Sequence, residues 1–448
     1  MRQAHDLLRL PLMRIASLRL VVVSLILAAP LCAADANVIT LEQALGSVEG
    51  VNLNVLLSRE AAVQALASVT LQRANVLPNI SGSVQQRRSQ GVSIATVVVA
   101  SGRPASRFDA LISGNFAAFN PAVFSALKGL KLGAQVAQEN FQAVVQTVLA
   151  DVAETYFAHL RNLRRLDVLD ANIARAQSLL SLASNQLNAG VATQIDVTRA
   201  EAQLAQAEQA RLQQVTALVQ SELFLKRLLD IEPMRPLRFE NFQVQRVNPD
   251  LFALSEEKTA FEKRADLIAA QKSLEQSKLA VRTATYERLP TLALSGNYGL
   301  ASAKWDDDSK QEQWSAGVNI SMPFFDGFRS SANRRIALSR QRSQEFRVRS
   351  LELQISSEVR LAVQDAGSRN AQIVVAEKTV RLSQEELRLA QQRYQQGVAD
   401  NREVVEAQNR LAIAEDNLVE AVFQYNLSRV ELARAKGNVR AVLGEKVP

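Results

Sequence analysis

The side chains best suited to covalent or metal chemistry are scarce in this chain: its histidines are His5 and His159, and its cysteine is Cys32. Metal sites draw several such ligands together, and a cysteine nucleophile needs a base within hydrogen-bond reach. Neither arrangement can be assembled here. His5 and Cys32 lie in a segment that reads as a cleavable leader. His159 stands alone in helical sequence, where a packed or surface role is expected. No catalytic site, metal or cofactor is therefore expected, and the chain does not read as an enzyme. The net charge of +7 comes from Arg and Glu interleaved along helical stretches. That pattern reads as solvated helix faces rather than a basic stripe for nucleic acid, so no nucleic-acid partner is expected.

The leader is residues 1–34. Arg14 and Arg19 precede the apolar run Leu20–Ala29, and Pro30 and Cys32-Ala-Ala34 follow. Basic, apolar and small-residue parts in that order form a secretory signal, with cleavage expected after Ala34 or Ala36. Met13 is an alternative start to Met1. Lipid attachment at Cys32 is the second reading, but it wants a small residue just before the cysteine, and Leu31 is not small. No other stretch approaches the roughly 18 apolar residues of a membrane helix, so the exported chain is not expected to span a membrane by helices.

The rest reads as a duplication. Leu77-Pro-Asn-Ile-Ser-Gly-Ser83 answers Leu289-Pro-Thr-Leu-Ala-Leu-Ser-Gly296. Gly190-Val-Ala-Thr-Gln-Ile-Asp-Val197 answers Gly397-Val-Ala-Asp-Asn-Arg-Glu-Val404, and Leu204-Ala-Gln-Ala-Glu208 answers Leu411-Ala-Ile-Ala-Glu415. The first repeat is set at 35–235, a joining segment at 236–250 and the second repeat at 251–448.

Each repeat holds two strand-like segments. In the second, Leu292, Leu294, Gly296, Tyr298 and Leu300 alternate with small polar residues, as do Trp314, Ala316, Val318, Ile320 and Met322. Period-two alternation with a polar opposite face suits strands with one side on lipid and one on a wet lumen. The strands are placed at about 78–88, 109–119, 291–300 and 313–323, with a polar loop from about 87 to 107 whose apolar patch Val97–Ala100 is unaccounted for. Four strands are too few to close a membrane barrel, which needs at least about eight, so a membrane reading forces oligomerisation.

Helical hairpins are expected at about 121–230 and 327–436, each turning at a glycine, Gly190 or Gly397. Their first arms carry no internal proline and would span about 100 Å each. Val404, Ala407, Leu411, Ala414, Leu418, Ala421 and Tyr425 follow a heptad rhythm on the second returning arm.

This ordered set, with the Leu-Pro strand entries, Met322-Pro-Phe-Phe-Asp-Gly327 and the Gly-Val-Ala turns, resembles the TolC-type outer membrane efflux proteins over essentially the whole exported chain. The resemblance implies a mainly α fold with a small β contribution: a homotrimer with a shared twelve-stranded barrel in outer-membrane lipid and a periplasmic α-helical barrel. It implies a passive exit duct for small-molecule efflux whose gated entrance, at the hairpin turns, meets a periplasmic adaptor protein and an inner-membrane pump. It implies further that Glu403 and Glu406 form an acidic ring at that entrance, the plainer alternative being first-turn acids favoured by the helix dipole. Asp196 and Tyr394 match members of the family's entrance latch. The basic member is replaced by Ala399 here, leaving Arg402 or Arg393 to substitute. Two other readings remain: a duct for type I protein secretion, and a periplasmic coiled-coil adaptor that never enters the membrane.

Overall fold

The computed structural model describes residues 37–89, 105–240, 253–306 and 308–443. The leader, with His5 and Cys32, and the patch Val97–Ala100 lie outside the described residues. In chain order the elements are β1 (Asn37–Ile39), α1 (Leu41–Val51), α2 (Leu53–Ala74), β2 (Asn79–Ser89), β3 (Ala105–Phe119), α3 (Pro121–Asn188) and α4 (Gln194–Leu228). The second half brings β4 (Leu237–Phe239), α5 (Ala253–Lys263), α6 (Ala265–Tyr286), β5 (Thr291–Ser302), β6 (Gln311–Ser321), α7 (Arg329–Gln395) and α8 (Asn401–Ala435).

The four long strands make one antiparallel sheet in the order β2-β3-β5-β6, so the two repeats join through β3 and β5. Ile80, Val84, Trp314, Val318 and Ile320 are exposed on it at alternating positions. The edges β2 and β6 are unpaired among the described residues. Two boundaries differ from the expectation for physical reasons. β6 ends at Ser321 because Pro323 has no N–H for a ladder. The first hairpin runs further into the supposed loop, pairing Arg87 with Arg107 and Arg88 with Ser106. Polar residues on both faces there hide the alternation.

α3 has 68 residues and α7 has 67, about 100 Å each. α3 starts cleanly: the Asn120 side chain accepts from the Val123 N–H and Pro121 takes the first turn. α7 begins two residues later than expected, because Gly327 (φ 64) and Phe328 (φ 67) are left-handed. The Asp326 carboxylate then accepts from the Ser330 N–H at 2.9 Å. Near the sheet the helices lie side by side as α2, α3, α6 and α7; at the far end α4, α3, α8 and α7 do. The wall is one helix thick, and no described helix is long and apolar enough to cross a membrane.

A knot of packing midway along the wall gathers Leu45, Val48, Val145, Leu149, Val152 and Tyr156 around α3. β1 and β4, three residues each and too short for periodicity to reveal, pair in parallel here. The Tyr156 hydroxyl donates towards the Glu240 carbonyl at 2.7 Å, with the Ile39 carbonyl 3.2 Å away. His159 is packed: its Nδ1 lies 3.1 Å from Ser221 Oγ and its ring 4.5 Å from that of Phe239, and burial pushes its pKa down.

Beside this knot, Glu154 of α3 faces Glu431 and Arg434 of α8, with Asp151 one turn away. Burial, reinforced by Glu431 and Asp151 and opposed by Arg434, pushes the Glu154 carboxyl up to about 7. A folded-state pKa above the ordinary carboxylate range means the fold favours the neutral acid. The resulting destabilisation therefore grows as pH rises from that range through about 7. Glu154→Gln should raise Tm at pH 8 and leave it unchanged at pH 4. An equal gain at both values, by thermal melts, would assign the effect to packing.

Candidate functional site

Each hairpin tip is built by the same local chemistry. α3 and α7 both stop with a glycine just past the helix, Gly190 at φ 74 and Gly397 at φ 73. The next amide folds back, Val191 N–H to Gln186 O and Val398 N–H to Arg393 O, both at 3.0 Å. This is a left-handed helix stop in which glycine carries no steric penalty. α4 and α8 then begin, with Asp196 and Glu403 both at their third position.

These equivalent acids behave differently. The Asp196 carboxylate accepts from the Thr193 N–H at 3.0 Å and its hydroxyl at 2.7 Å, with Arg199 at 3.7 Å. Glu403 makes no such cap and leans instead to Arg393 at 3.5 Å. Glu406 lies 3.9 Å from both Arg402 and Arg410, and Arg410 also holds Glu386 at 2.7 Å. The Glu403 and Glu406 side chains remain open to water, at 38% and 55% exposure.

Tyr394 is buried, packed among Leu179, Ala183, Val197, Leu387 and Val404. Its hydroxyl has no hydrogen-bond partner within the described chain. Burial, with the Asp196 charge nearby, pushes its pKa up. The fold thus brings Asp196 and Tyr394 together, whereas the ion pairs of Arg402 and Arg393 are with Glu406 and Glu403. Asn401, missed from sequence, is fully buried beside them. Its Nδ2 donates to the Asp196 carbonyl at 2.7 Å, tying the two tips together, and its Oδ1 is unpartnered. An amide in a first helical turn carries no signal that distinguishes it from an ordinary start residue.

The tips thus lie at the far end of a pair of nearly equal hairpins from a sheet whose two edges are open among the described residues. The sequence profile described as "Outer membrane efflux protein" matches residues 52–230 and 258–438. The chain belongs to the outer membrane efflux protein family, and its place is the outer membrane. It is 26% identical over 310 residues to the outer membrane protein OprJ of Pseudomonas aeruginosa, covering 67% of this chain and 63% of that one. It is 24% identical over 364 residues to the alkaline protease secretion protein AprF of the same species, covering 79% and 75%. The crystal structure of a membrane protein from Pseudomonas aeruginosa shares the fold, with TM-score 0.81 and 21% identity over 89% of this chain and 90% of that one.

Proposed function

We propose that three copies of the chain join their sheets into one twelve-stranded barrel in the outer membrane and their hairpins into a periplasmic tube. The assembly is a passive exit duct for small-molecule efflux. It meets a periplasmic adaptor protein and an inner-membrane pump at the hairpin tips and needs no cofactor. The observation that carries this reading is the four-stranded sheet, apolar at alternating exposed positions and unpaired at both edges among the described residues. Unpaired strand edges are not tolerated in hydrocarbon, so the sheet has to be closed by other copies. Family membership supports the efflux role, and the similarity to AprF keeps a protein-secretion duct as the second reading.

Locating the protein by membrane fractionation and weighing it in detergent tests the reading. An outer-membrane species of three chains is expected. A soluble periplasmic monomer would return the chain to the coiled-coil adaptor reading.

At the entrance, Glu403 and Glu406 of three copies form an acidic ring, while Asp196, Tyr394 and Arg402 are the latch candidates between hairpins. The unpartnered Tyr394 hydroxyl and its nearness to Asp196 support the latch. Asp196→Ala should raise single-channel conductance several-fold in planar bilayers. A wild-type value would leave Asp196 as a helix-start residue only.

A further inference from the structure

We propose that the outer face of the helix wall directly beneath the barrel is a binding collar for acidic phospholipid headgroups of the periplasmic leaflet. Six cations gather there from three helices far apart in sequence: Lys128 and Lys131 of α3, Lys278 and Arg282 of α6, and Arg334 and Arg335 of α7. All six are exposed, and none is paired to a carboxylate among the described residues. All lie within about 15 Å of the sheet ends of their helices, at 1.5 Å per residue. Glu275 is the one carboxylate at that depth on this face among the described residues.

The facing of the six follows from helix geometry. α3, α6 and α7 share a concave groove lined by Gly129, Leu130, Gln276, Ala280, Asn333 and Ala337, with α6 in the middle. The grooved side is assigned to the inside of the closed tube because the opposite side bears the exposed Phe124 ring. Two positions along an α-helix is a turn of about 200°. Lys128, Lys131, Lys278, Arg282 and Arg335 each stand two positions from one of those lining residues, and so point the other way. Arg334, about 100° round the helix from Asn333, sits on the flank of α7 between the two faces.

The apolar neighbours agree. Phe124, Lys128 and Lys131 form one stripe of α3 at i, i+4 and i+7, and Phe328 stands just before the start of α7. Phe124 is 40% exposed and Phe328 is 71% exposed. In both places the ring lies nearer the sheet and the cations follow further along the helix. That is the order in which a membrane-facing surface meets acyl chain and then phosphate. A wet inner wall gains nothing from bare phenyl rings. Six unopposed cations at headgroup depth attract anionic over zwitterionic lipid, in a salt-dependent way.

The inference rests on the closed-tube reading above. The test uses the full assembled protein in detergent, titrated with phosphatidylglycerol or phosphatidylcholine and read by native mass spectrometry. The wild type is expected to prefer phosphatidylglycerol by about tenfold. The variant carrying glutamine at all six positions is expected to fall to parity while keeping its assembled mass. A control with Lys258→Gln, Lys263→Gln and Arg381→Gln, exposed cations elsewhere on the wall, should keep the preference. Equal lipid preference in wild type and six-fold variant overturns the collar, as does an equal loss in the control. A shift in conductance anion selectivity with lipid preference intact overturns it too, by placing the cations inside. A monomeric wild type sinks the tube itself, which the mass separates from failure of the collar.

Discussion

Gly299→Ala is expected to abolish the assembled, membrane-inserted form. A Cβ at this position would lie 1.9 Å from the Ala110 carbonyl oxygen and 2.9 Å from both the Ala110 carbonyl carbon and Leu111 Cα. All three are backbone atoms, so no side chain can turn away to make room. The contact falls on the β3–β5 ladder, where Gly299 stands opposite Leu111 and Leu300 opposite Ala110. This is the seam between the two repeats, and a sheet parted there presents four open edges instead of two. Gly82→Ala is the matched control, since nothing lies within 4 Å of a Cβ there. Loss of the heat-modifiable oligomer band in gel electrophoresis, with Gly82→Ala normal, is the expected outcome. A normal band for Gly299→Ala would show that the strands pair in another register.

The double variant Glu403→Ala, Glu406→Ala should change the ion preference of the duct by about tenfold, and should reverse its sign rather than merely weaken it. The arginines beside these acids give the reason. Arg393, Arg402 and Arg410 lie within 3.5 to 3.9 Å of Glu403 or Glu406. Exposed pairs of this kind contribute only about 0–1 kcal/mol, so little stability is lost with them. On the ring reading, removing the acids leaves these arginines as the charge lining the entrance, with Arg410 still paired to Glu386. Reversal potentials in a salt gradient measure the effect. Unchanged selectivity would remove both acids from the conduction path. Arg402→Gln should push the preference the other way, toward cations.

Much of the architecture was legible because its signals are periodic. Alternation around Tyr298 and Trp314 placed two strands, and the glycine stops at Gly190 and Gly397 placed both turns. What escaped reading has no period. β1 and β4 are three residues each and are held by Tyr156 from a distant helix. The left-handed pair Gly327 and Phe328 delays α7, although Asp326-Gly-Phe reads as ordinary helix start. At the tips, sequence gave Asp196 and Glu403 the same place, yet only Asp196 closes on its own helix start. Thr193, whose hydroxyl it accepts, has Asp400 as counterpart, and a second carboxylate offers Glu403 no such proton. The basic collar was invisible for another reason: its six cations come from three helices, and along the chain they look interleaved.

The parallel pairing of β1 with β4 sets Asn37 opposite Leu237 and Ile39 opposite Phe239. The earliest described strand thus has no mate until a chain length of some two hundred residues has followed it, counting from 37 to 237. Closing a loop of that size is entropically costly, and contacts so far apart in sequence form late. The middle of the wall, where this pairing sits, therefore cannot be completed before residue 239 has followed. Until then β1 has no strand partner, so the head of the described chain is held last by residues that leave a secretion pore long after it.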